Sequence, residues 1–260
     1  MANMEFREAT RLIIRKVEDV TGLPVHVKGD PALQTLAAVS LARGDSPAHV
    51  VSFNPTTNMA PDYHICFQCG SILRAYACPP EARRNFVTAP QGRRELEALL
   101  KEPNGIVAKL RLPPSAVGSL VNEFYHGAML QLRSVPVGVR VDRWLRRDYP
   151  DLNALQEASA RKQMQDNSQA LGPEIQQMAP AKIYRANVAM NGVVAAFWSD
   201  ILGDNRFVAP YKATKFWSLS ARLLEIERQI PDNPTEDSRL VDEWAKECGF
   251  TGWYAWGPCE

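Results

Sequence analysis

Apolar residues recur at helical spacing from the start of the chain. Phe6, Ala9, Ile13, Val17 and Val20 fall on one face, and Gly22 and Pro24 stop the run, so a helix is expected there. The period then changes to two. "PVHVKG" (24–29) alternates as a short strand does, and "LAAVSLARGDSPAHVVSFNP" (36–55) reads as two strands on either side of a turn at "RGDSP". A polar loop, "TTNMA", leads into "APDYHICFQCGSILRAY" (60–76), where helical spacing puts Cys66, Cys69, Leu73 and Tyr76 on one face. The prolines of "CPPEARRN" (78–85) cannot continue that helix.

Downstream the pattern is helical almost throughout. The segments are 93–101, 113–134 with prolines at its entry, a short basic helix at 138–150, 151–171 with Asp151 placed to cap it, 179–202, 213–230, and "SRLVDEWAKECGF" after an acidic turn at 231–237. The chain ends on the aromatic run "TGWYAWGP", whose large rings are expected to dock on the chain's own core. The expected class is α+β: a small N-terminal sheet with a helix against it, then a mainly helical region. The natural division is 1–135 and 136–260, packed as one unit.

Composition narrows the partners. A formal net charge of +1 gives no global attraction to nucleic acid or to an anionic membrane, so either would need a local patch. No apolar run approaches the roughly 18 residues that span a bilayer, and the N-terminus lacks a signal-peptide core. Five cysteines without an export signal read as reduced thiols in a cytoplasmic protein.

The chemistry to be weighed sits in residues 60–76. "CFQCGS" has the form of half a zinc knuckle. Structural zinc takes four ligands, and here Cys66 and Cys69 would need Cys78 and His64, or the distant Cys248 or Cys259, at spacings that fit no ribbon pattern. A thiol nucleophile at Cys66 or Cys69, with His64 or His126 as base, would need an exposed cysteine of lowered pKa, whereas both fall on the apolar helix face. A helix with two thiols inside is also an ordinary buried helix.

A strand ending in Asn-Pro, a polar loop and a helix carrying "G-S-I-L-R" together resemble the small bacterial zinc metallopeptidase domains of the zincin class, ImmA/IrrE-like in layout, over residues 20–135. In that family the helix carries His-Glu-x-x-His, two zinc ligands four apart with a water-activating glutamate between them. The resemblance places Phe67 and Ser71 in the two histidine slots and Gln68 in the glutamate slot. Phenylalanine cannot ligate metal, a neutral amide is no base, and a serine alone would not hold zinc, so the resemblance implies a degenerate site with no metal or other cofactor. Glu123 and His126 lie where relatives supply a third ligand, and without the first two they read as structural.

Elsewhere no phosphate-binding loop, Gly-x-Gly-x-x-Gly or Gly-x-Ser-x-Gly occurs. The clearest polar feature is the basic helix, where Arg140, Arg143 and Arg147 recur at three- and four-residue spacing beside Arg146. Such a stripe grips carboxylates or phosphates of a partner, or is a solvated face paired with Asp142 and Asp148. A protein partner fits it better than nucleic acid, because Trp144 is the lone aromatic there for stacking bases. The reading that results is a non-catalytic, metallopeptidase-like binding protein, a component or regulator of a larger bacterial assembly such as one for phage defence or stress response. The alternative is a working hydrolase using a Cys/His pair or an unconventional metal site.

Overall fold

The computed structural model describes residues 5–44, 46–57, 59–103 and 105–258. In chain order the elements are α1 (Glu8–Thr21), β1 (Val25–Gly29), β2 (Ala37–Ser40), β3 (His49–Phe53), α2 (Asp62–Ala77), β4 (Arg84–Thr88), α3 (Pro90–Lys101) and α4 (Ile106–Lys109). They continue with α5 (Pro114–Asp148), α6 (Asn153–Ser168), α7 (Pro173–Met178), α8 (Ala181–Leu202), α9 (Ala209–Lys212), α10 (Trp217–Gln229), α11 (Asp237–Cys248) and β5 (Tyr254–Pro258). The class is α+β, with small sheets near both ends and helices between, as the hydrophobic patterns predict.

By its internal contacts the chain forms two compact units: Met1–Arg84 with Gly138–Ala160 and Pro258–Glu260, and Asn85–Val137 with Arg161–Gly257. This differs from the expected division into 1–135 and 136–260. Residues 85–137 group with the C-terminal helices, and residues 138–160 group with the N-terminal sheet.

In the first unit the strands lie in the order β1-β3-β2, with β3 parallel to β1 and antiparallel to β2. Val51 and Phe53 of β3 point into the core opposite Ile65, Cys66 and Cys69 of α2 and Ile13 and Val17 of α1, all of them buried. Helix α1 ends where Gly22 takes the left-handed conformation (φ 70°) and returns its N–H to Glu18 O, a backbone state that favours glycine. Val20 was expected on the buried face, yet it is exposed: the buried stripe is Ala9, Thr10, Ile13 and Val17.

The expected break between helices at 113–134 and 138–150 does not occur. Helix α5 runs unbroken for 35 residues with Pro136 inside it. An interior proline removes a backbone hydrogen bond and costs about 3 kcal/mol. Burial of Leu132, Val139, Val141 and Leu145 along the same helix offsets that cost. Asp151 does not cap α6 either, since a 3-10 turn at Pro150–Leu152 precedes the helix.

The second unit is built on α8, whose face from Ile183 to Ser199 is almost wholly buried against α10 and α11. The aromatic tail docks on its own chain. Phe250 and Trp253 are fully buried, and the Trp253 indole N–H donates to Glu95 Oε2 at 2.7 Å. The Tyr125 hydroxyl lies 2.6 Å from Trp253 O and 2.7 Å from Ala89 O. Strands β4 and β5, which the helical pattern did not suggest, pair as a ribbon with Phe86 stacked on Tyr254 at 4.4 Å.

Candidate functional site

Helix α2 is fixed at both ends of its working face. At its start the Asp62 carboxylate accepts the Arg7 backbone N–H at 2.8 Å and the Thr10 hydroxyl at 2.6 Å. One carboxylate thereby serves the first turn of α1, where unpaired amides and the helix dipole favour negative charge. Further along, Gly70 lets α5 come close. A Cβ there would lie 2.6 Å from Val141 Cγ1 and 3.1 Å from Trp144 Cζ3, and one at Gly138 would lie 3.0 Å from Phe67 Cζ.

All three motif positions are engaged within this frame. Phe67 packs on Gly138 and lies edge-on to Tyr63, with centroids 6.2 Å apart. Gln68 donates from Nε2 to the Ala37 carbonyl of β2 at 3.3 Å. Ser71 donates back to Phe67 O at 3.3 Å, a bond one helical turn long. None of the three offers a free ligand or base.

The thiols and His64 lie under the same helix. Cys66 and Cys69 have no exposed surface. Burial pushes the Cys66 thiol up to about 12 and the Cys69 thiol higher still, the opposite of what a nucleophile needs. His64 is 9% exposed and its Nε2 has no hydrogen-bond partner; burial lowers its pKa to about 4, which keeps the ring neutral. Cys78 and Cys248 are also buried, and Cys259 lies outside the described residues. Among the described residues no three His, Cys, Asp or Glu side chains are grouped to hold a metal ion, and Cys66, Cys69, Cys78 and His64 form no such set.

His26 and His126 are exposed, as is Glu123. His49 is fully buried, with Nδ1 accepting the Ala42 N–H at 3.1 Å and its ring perpendicular to Tyr76 at 5.0 Å.

The arginine stripe is not one face. Arg143 and Arg147 are exposed, and Arg147 pairs with Asp148 at 2.6 Å. Arg140 is 0% exposed, so the expected solvated face loses its first member. The reason is position: residues 139–142 and 145 all lie inside the unit, and Arg140 falls within that block. Asp142 is not a surface partner of these arginines either. It is buried, accepting the Tyr63 hydroxyl at 2.7 Å and the Gln156 amide at 3.1 Å. Burial raises its pKa to about 7, against the pull of those two hydrogen bonds. Sequence reasoning missed the Asp62 and Asp142 contacts. The one available signal was an acid embedded in each of two otherwise apolar helical faces.

Comparison with known protein families, curated proteins and solved structures finds no match. No helix among the described residues is long and apolar enough to cross a membrane.

Proposed function

We propose that this chain is a non-catalytic, metallopeptidase-like protein that acts by binding, as a component or regulator of a larger bacterial assembly. One observation carries the reading: Phe67, Gln68 and Ser71, the side chains in the motif slots of α2, are all committed to contacts inside the fold. The order of elements supports it too. Strand β3 leads through a polar loop into a helix packed on the sheet, with the Gln68 slot facing the edge strand β2. A thiol enzyme is disfavoured because the two cysteines of this helix are buried and held protonated. The binding role is supported by what remains outside: α7 buries none of its six residues and exposes Ile175 and Met178.

Two experiments test the two halves of the proposal. Phe67→His, Gln68→Glu and Ser71→His made together rebuild His-Glu-x-x-His on α2. In a folded triple variant zinc should bind measurably tighter than in wild type, because the two imidazoles share a helix face. A folded triple variant that holds zinc no better than wild type would sink the metallopeptidase likeness. For the binding role, affinity purification from the native host should recover a companion protein in fixed proportion. Recovery of the chain alone, together with hydrolytic activity on peptide or ester substrates, would overturn it.

A further inference from the structure

Among the described residues no further strand pairs with β1 or β2 of the three-stranded sheet, and an open sheet edge is a template for pairing with another strand. The register settles which backbone groups face outward. Asn54 N–H bonds to Leu36 O across β3 and β2, so residues 36, 38 and 40 face β3, while Ala37 and Val39 direct both N–H and C=O to the free edge. On the other side His49 N–H bonds to Pro24 O and Asp30 N–H to Phe53 O. Residues 24, 26, 28 and 30 therefore face β3, and Val25, Val27 and Gly29 face outward.

Each edge has one of its outward groups taken by a side chain. Ala37 O accepts both Gln68 Nε2 of α2, at 3.3 Å, and Thr35 Oγ1, at 3.1 Å. Val25 N–H donates to Glu18 Oε1 of α1 at 3.0 Å. Helices α1 and α2 thus each send one long polar side chain to the rim of the sheet.

We propose that Gln68, with Thr35, closes the β2 edge of this sheet against strand-to-strand pairing between copies of the chain, and that Glu18 does the same for β1. This role follows from strand geometry alone and holds whether or not the chain is metallopeptidase-like. An incoming strand must donate an N–H to Ala37 O, which already holds two donors, and must displace both side chains to reach it. Beyond the capped groups the β1 edge exposes His26 and Lys28, and a charged lysine is a common guard of such edges.

The test removes the caps while keeping their shape. Thr35→Val with Gln68→Met deletes both donors at nearly constant volume and keeps a good helix former at 68. Gln68→Glu is the second variant, equally long but unable to donate in its ionised form. Folding is checked by circular dichroism, and association by light scattering across a concentration series. Amide exchange at Ala37 and Val39 reports the edge itself. Wild type should show rapid exchange at the Val39 amide at every concentration. At least one folded variant should rise to twice the wild-type mass or more, with Ala37 and Val39 amides slowed at least tenfold in the associated form. Folded variants that keep the wild-type mass and fast Val39 exchange would overturn the proposal. So would a wild-type protein whose Val39 amide is already protected by pairing between copies.

Discussion

Tyr63 on α2 donates its hydroxyl proton to Asp142 on α5 at 2.7 Å, joining two helices far apart in the chain through a buried carboxylate. Gln156 of α6 donates to the same carboxylate and to the Asp142 carbonyl, so three helical segments converge on one acid. Burial holds that acid near 7, above the ~3.9 of an unfolded aspartate. The folded state then binds the proton more tightly, and the stabilisation is lost as pH rises from about 4 to about 7. His64 acts in the opposite sense. Its folded value near 4 lies below the ~6.5 of an unfolded histidine, so its contribution is lost as pH falls through that window.

The two contributions can be separated. Asp142→Asn keeps an acceptor for Tyr63 and Gln156 and adds an N–H for Gln156 Oε1, which has no partner in wild type. Measured between pH 4 and 7, its melting temperature should climb with pH more steeply than that of wild type. His64→Gln should tilt the profile the other way. An Asp142→Asn profile parallel to wild type would mean that the acid is already ionised in the fold at pH 4.

Gly70 sets the approach of α2 to α5. Ala is the better helix former by about 1 kcal/mol, yet its Cβ would fall 2.6 Å from Val141 Cγ1. Gly70→Ala should therefore destabilise by about 1–3 kcal/mol in denaturant titration. Val141→Ala in the same chain should recover part of the loss, because it removes the atom in the way. Simple addition of the two single costs would show that the contact is not the cause.

The arginines should part company. Arg143→Glu and Arg147→Glu, on exposed positions, should change stability by no more than about 0.5 kcal/mol each. Arg140→Glu puts a reversed charge where nothing is exposed and should cost about 3 kcal/mol or more. If the double surface variant is folded and loses a companion protein that wild type retains, the exposed end of α5 is part of the binding surface.

The thiols of α2 should be silent. Cys66 and Cys69, buried and held protonated at neutral pH, should react with a thiol reagent only as the chain unfolds. Cys69→Ala should cost about 1–2 kcal/mol through lost packing. Rapid labelling of either residue in the native protein would instead indicate an accessible reactive thiol.

Period and punctuation made much of this legible. Alternation in "PVHVKG" and "HVVSF" gave the strands, and Gly22 and the prolines after Cys78 gave the helix ends. Long-range burial decided the rest. Pro136 reads locally as a break, and only the buried residues on either side of it explain why the helix continues. Arg140 has the spacing of a surface stripe, and a helical repeat cannot say which arc of the helix another element will cover. The β4–β5 ribbon joins segments about 170 residues apart, a distance over which local pattern carries no pairing information. The motif slots at Phe67, Gln68 and Ser71 were readable as departures from a metal site, whereas the partners that now occupy those side chains were not.

The measurement that bears most directly on the account is metal analysis of the purified wild-type protein, with a melting curve before and after chelation. A helix whose motif positions are Phe67, Gln68 and Ser71, each bound within the fold, should carry far less than one equivalent of zinc, and chelator should leave the melting temperature unchanged. One tightly held equivalent of zinc, lost to chelator together with stability, would contradict it.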